Sequence, residues 1–282
     1  MRSFPALMAA SLAAILAPAA TAQELEIPAF ARAVPEVKSG EPLLKFNGRD
    51  LTGFYVYTKT NKFEDPQKVF TVQDGVLRIS GEDFGGMSTG GNFSDYHLVT
   101  EWRWGEKTWD KRAKAARDSG ILLHCIGPDG AWGGQWMESI ECQLIEGGCG
   151  DFLVLNLRGT PRMTSATRTG PDKQPYFDPG SPATERLKGR INWWGRDPAW
   201  KDVIDTPEKY GVEKPRGQWN RTEVICDGDR IVVLMNGILV NEGTKVAPTE
   251  GKIQFQSEGA ELFFRKIEVR PLIKPDAAKP AK

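Results

Sequence analysis

The sequence predicts an all-β protein built as a sandwich or jelly roll of two antiparallel sheets. Three observations carry that expectation. Short runs of β-branched and aromatic residues recur along the chain, separated by Asp-Gly, Asn-Gly and other Gly-rich turns. No long stretch repeats its apolar residues at the 3.6 period of a helix. About a dozen strands without helical crossovers leave antiparallel pairing as the available architecture.

The elements follow in order. Residues 1–22 (MRSFPALMAASLAAILAPAATA) place Arg2 before a short apolar run and end in Ala20-Thr21-Ala22, a small-x-small cleavage pattern. The segment reads as a secretory signal peptide cut near Ala22, which predicts a periplasmic or secreted protein. It is too short for a membrane span, and no transmembrane segment is expected. Residues 23–42 form an extended lead-in, and 274–282 (KPDAAKPAK) a disordered tail. Between them, 43–273 is one domain. Runs 69–73 and 76–80 flank Asp74-Gly75 as a hairpin, and runs at 96–104, 120–126, 139–145 and 152–156 are further strands. Strands at 220–226, 230–235 and 238–240 are joined by Asp227-Gly228 and Asn236-Gly237, and 252–256 and 261–270 follow. A short helix is the expectation for 108–116. The turn-rich stretch 159–217 is a long loop insertion, the kind of segment that usually carries function.

Charge and composition narrow the function. Thirty-seven Lys and Arg balance 37 Asp and Glu, so the basic footprint of a nucleic-acid binder is missing. Nine Trp and 13 Phe suit an aromatic core, carbohydrate stacking, or both. Two histidines rule out a site with three imidazole ligands. The four cysteines, Cys125, Cys142, Cys149 and Cys226, contain no C-x-x-C pair. In an oxidising compartment Cys142 and Cys149 could close a small loop; the alternative is buried thiols.

Strand parity selects candidate site residues. In 137–146, Ile140, Cys142 and Leu144 share one face, while Ser139, Glu141 and Gln143 share the other, a polar row suited to sugar hydroxyls. In 96–104 the aromatic parity belongs to the core, leaving Glu101 and Arg103 facing a groove or an ion pair at the surface. His124 is in register with Gly120 and Leu122, near Asp118, where an imidazole can act as acid, base or ligand. Glu138 and Glu146 have the opposite parity to Glu141, so a converging pair of glycosidase carboxylates is not expected.

As a set, LLKFNGRDLTGF (43–54), FTVQDGVLRISGEDFGGMST (70–89), YHLVTEWRW (96–104), DSGILLHC (118–125), GQWNRTEVICDGDRIVVLMNGILV (217–240) and GKIQFQSEGAELFFRKIEVRPL (251–272) resemble the 3-keto-disaccharide hydrolase, or 3-keto-glucoside lyase/hydratase, family. The resemblance spans nearly all of 43–272 and implies a concanavalin A-like jelly roll. The family's E-x-Q-[IL] strand corresponds to Glu141-Cys142-Gln143-Leu144. Many members carry Asp where this chain has Glu146, a departure that could move that role to Asp151.

The implied chemistry is proton abstraction beside a 3-ketone, elimination of the glycosidic oxygen and hydration. On that basis Glu141 or His124 is the expected base, and Arg103 or a bound divalent cation stabilises the enolate. Gln143 orients hydroxyls, with Glu101 and Asp118 as further substrate contacts and Trp132, Trp193 and Trp194 as stacking surfaces. No cofactor is required by any motif, and a metal ligand set has no recognisable spacing. The alternatives are a non-catalytic carbohydrate-binding module and a scaffold domain.

Overall fold

In the computed structural model, residues 26–274 are described. The leader at 1–22 and the tail beyond Lys274 lie outside them. Among the described residues eighteen strands form two antiparallel sheets, as the turn pattern predicts. The smaller has seven strands in the order Gly189–Ile191, Phe152–Leu155, Glu138–Ile145, Asp118–Ile126, Lys252–Ser257, Gly85–Thr89 and Phe54–Thr58. The larger, of eleven strands, is centred on Tyr96–Thr108, flanked by Asn220–Asp227 and Ala260–Pro271.

The core lies between the sheets. Ile121, Leu123, Ile140, Cys142, Leu144, Phe152, Ile253 and Phe255 from the smaller sheet meet Leu98, Trp102, Trp104, Val224, Leu262 and Phe264 from the larger, all buried. Burial of each large apolar side chain contributes about 1.5–3 kcal/mol. The two tryptophans keep their indole N–H groups satisfied: Trp102 Nε1 donates to Thr222 Oγ1 at 2.8 Å and Trp104 Nε1 to Glu213 Oε1 at 2.9 Å. Because the core consumes one parity of Glu138–Ile145, the Ser139–Glu141–Gln143 row turns to the other face of the smaller sheet.

Several expectations change. Strands Phe54–Thr58 and Gly85–Thr89 are additional to those expected. Gly85 is needed there because a β-carbon on it would meet the Tyr57 carbonyl oxygen at 2.2 Å. At 108–116 there is one 3-10 turn, Asp110–Arg112, instead of a helix. The stretch 159–217 contains four short strands that extend both sheets. All four cysteines are buried free thiols, so the Cys142–Cys149 loop does not close. No helix among the described residues is long and apolar enough to cross a membrane.

Candidate active site

The polar face of the smaller sheet is assembled row by row. Gly120 opposes Gln143, and Leu122 opposes Glu141. Across the next pairing Glu141 opposes Leu153, which in turn opposes Arg190. Glu141 therefore stands between two leucines on a rigid platform, 3% exposed. Among the described residues its carboxylate has no hydrogen-bond partner. Burial raises its pKa, the neighbouring Asp118 charge adds to the rise, and Arg190 opposes it.

Asp118 begins the adjacent strand and is held by Gln143 Nε2 and by an ion pair with Arg112. Burial raises its pKa too, against the pull of Arg112. Glu258, at the turn after Lys252–Ser257, is raised by burial and by the charges of Asp118 and Glu141. Three carboxyls thus compete for proton and counter-charge in one place, the condition under which a carboxyl retains basic strength near neutral pH.

The cations come from the irregular parts of the chain. Arg190, on the short edge strand, gives Nη1 to Asp151 Oδ2 at 2.6 Å and Nη2 to Gln143 Oε1 at 3.1 Å. Arg196 Nη1 reaches the same Asp151 oxygen at 2.7 Å, and the Trp193 backbone N–H donates to Oδ1 at 2.8 Å. Asp151 is therefore an anchor for two arginines. Arg112 arrives on the 3-10 turn and also binds Asp202 at 2.8 Å. Among the described residues no group of three or more His, Cys, Asp or Glu side chains is arranged to hold a metal ion.

A base between apolar walls, a second carboxyl nearby and a fixed guanidinium together can accept a proton and stabilise the negative charge that its removal creates. Comparison with known proteins gives that chemistry a context. The family model described as the 3-keto-alpha-glucoside-1,2-lyase-like domain matches residues 43–270. The chain belongs to that family. It is thereby a carbohydrate-active protein. No curated protein matches it.

Several solved structures are similar. A candidate glycosyl hydrolase from Parabacteroides distasonis is 18% identical, with TM-score 0.46, over 81% of this chain and 92% of that one. The carbohydrate-binding module CBM66 from Bacillus subtilis is 11% identical, with TM-score 0.41, over 77% and 95%. A β-glucanase from Bacillus licheniformis is 10% identical, with TM-score 0.41, over 83% and 99%.

Within this family member, the residues singled out from sequence divide into two groups. Glu141, Gln143 and Asp118 come together on the polar face. Trp132, half-buried, packs against the cluster that contains Leu122, with Lys188 Nζ over its ring. The others lie elsewhere. His124 sits at a bulge where pairing shifts between Leu123 and Ile126, and its φ is +50°. The extra residue reverses parity: Cys125 joins Leu122, while the imidazole turns into the core against Tyr96 at 5.7 Å. Gly251 permits the bulge, since a β-carbon there would stand 2.5 Å from the His124 carbonyl carbon. His124 Nδ1–H donates to the Pro248 carbonyl at 2.9 Å, and burial lowers the ring pKa to about 4.

Arg103 and Glu101 belong to the larger sheet and face outward from the sandwich. Arg103 stacks on Trp219 at 5.1 Å and Phe263 at 4.9 Å, and Glu101 pairs with Arg265 at 2.6 Å. Trp193 and Trp194 are buried core residues packed edge to face at 4.9 Å, not stacking platforms. Glu146 binds Arg117 at 2.6 Å and supports the 200s loop through the Asp205 N–H.

Arg190, Arg112, Gln254 and Gln256 were missed. The two arginines lie in segments without periodicity. The glutamines alternate with Ile253 and Phe255, a parity signal that was available.

Proposed function

We propose that the protein is an exported enzyme that cleaves 3-keto-glucosides by elimination and hydration, with Glu141 as the base. The observation that carries this reading is the Glu141 carboxylate, buried between Leu122 and Leu153, without a partner among the described residues and with raised proton affinity.

A ketone at carbon 3 acidifies the hydrogen on carbon 2. Glu141 takes that proton, and the C2–H electron pair moves into the enolate, whose oxygen faces Arg190. The enolate collapses, a C1=C2 bond forms and the C1–O glycosidic bond breaks. The leaving oxygen takes the proton that Glu141 now holds, so one carboxyl serves first as base and then as acid. Water then adds at C1 of the enone, giving up a proton to the Glu141 carboxylate, which passes it to C2. The sum is addition of one water across the glycosidic bond, with no redox change.

The test is incubation of a 3-keto-β-glucoside and 3-keto-trehalose in D2O, followed by NMR. The reading requires 3-keto-glucose bearing deuterium at C2 and no cleavage of the unoxidised glucoside. Cleavage of the unoxidised glucoside without C2 exchange would replace elimination by ordinary hydrolysis. Sugar-induced thermal stabilisation without product would make the protein a binding module.

A further inference from the structure

Two glutamines of one strand share the polar face and differ completely in their bonding. Gln254 is engaged at both ends: Oε1 accepts from the Met137 N–H at 3.2 Å, and Nε2 donates to Ser88 Oγ at 2.9 Å. Gln256, two residues on and 1% exposed, has neither Oε1 nor Nε2 partnered among the described residues. A buried amide left open at both ends costs stability unless something fills it.

The space beside Gln256 is also specific. Phe255 pairs with Ile121, so the next residues, Gln256 and Gly120, sit side by side. A β-carbon at Gly120 would lie 2.4 Å from Gln256 Oε1 and 2.4 Å from Glu141 Oε1. Both oxygens thus converge on one point and lie within twice that distance of each other.

We infer that Gln256 is the ligand of the substrate's C2 hydroxyl and makes the site selective for sugars that carry it. The inference rests on Glu141 being the base for the C2 hydrogen. That hydrogen and the C2 hydroxyl are carried by one carbon, and the two side chains that would receive them converge over Gly120. A hydroxyl donates and accepts, as does the amide, whereas a ketone oxygen only accepts. Holding the hydroxyl turns the C2–H bond toward Glu141. A 2-deoxy sugar leaves the amide open.

The experiment is calorimetric titration of the full chain and its Gln256→Leu variant with 3-keto-glucose and 2-deoxy-3-keto-glucose. The wild type should bind the 2-hydroxy sugar roughly tenfold more tightly, the ratio set by a hydrogen bond of about 1.4 kcal/mol. Gln256→Leu should bind the two alike, with an undiminished thermal midpoint because no protein hydrogen bond is lost; Gln256→Met serves as the second variant. Equal affinities in the wild type, no affinity for either sugar, or full discrimination kept by both variants would overturn the inference. Cleavage of a 3-keto-glucoside is read separately: discrimination without cleavage would remove the elimination reading while the hydroxyl site stood.

Discussion

Glu141 lies over Gly120, so close that a β-carbon at position 120 would stand 2.4 Å from its Oε1. The neighbouring strand supplies a gap at the one place where the base needs room. Gly120→Ala would drive the methyl group against both Glu141 and Gln256. Overpacking of this kind costs about 1–3 kcal/mol. The expected outcome is a lower Tm together with a loss of sugar affinity, measured by calorimetry on the same sample.

Glu141→Gln should stabilise the protein while removing its activity. The folded carboxyl holds its proton more tightly than the unfolded one, so the native state binds more protons and stability falls as pH rises through the raised pKa. The amide has no such penalty. Its advantage should be absent near the ordinary carboxyl pKa of about 4.3 and largest above neutrality. A gain of roughly 1 kcal/mol would appear as a Tm increase of about 2–4 °C. Thermal scans at several pH values check both sign and window.

Asp118→Asn should move the acidic limb of any residual activity to lower pH. The Asp118 charge is the second cause of the high Glu141 proton affinity, after burial, so removing it lets Glu141 ionise earlier. A pH–rate profile on a 3-keto-glucoside checks the shift.

Arg190→Ala removes the cation closest in role to the developing enolate charge and frees Gln143 Oε1. Asp151 keeps Arg196 and the Trp193 N–H, so the fold should persist. The expected loss in kcat is about 10²–10³-fold, the scale of one electrostatic donor. Steady-state kinetics with circular dichroism on the variant tests it.

His124 governs acid stability and leaves turnover alone. Its folded pKa is depressed from 6.5 to about 4, so the native state binds fewer protons than the unfolded chain between those values. Stability is therefore lost as pH falls from about 6.5 toward 4, by on the order of 3 kcal/mol at roughly 1.4 kcal/mol per unit. His124→Gln should flatten that acid limb and keep kcat within a few-fold of wild type. Urea titrations across that range provide the check.

Much of the sandwich was legible because its strands obey local rules. The Asp74-Gly75 and Asn236-Gly237 turns mark hairpins, and the alternation in Glu138–Ile145 separates Cys142 from Glu141 and Gln143 without any tertiary information. What strand parity cannot reveal is which sheet a strand joins. Glu101 and Arg103 look as suitable as Glu141 and Gln143, yet Tyr96–Thr108 lies in the other sheet and presents its polar side outward. Nor does parity survive a bulge, and the extra residue at His124–Cys125 is set by the close approach of Gly251 from another strand. Arg112 and Arg190 come from segments whose conformation depends on docking. Arg112 meets Asp118 six residues on and Arg190 meets Asp151 across 39 residues, pairings that no strand pattern announces.

The most direct measurement is exchange of the C2 hydrogen of 3-keto-glucose with D2O, a reaction that needs the base but no leaving group. Wild-type protein should accelerate exchange, and Glu141→Gln should fall to the uncatalysed rate while still binding the sugar. Exchange by Glu141→Gln at the wild-type rate would contradict the assignment of Glu141 as the base.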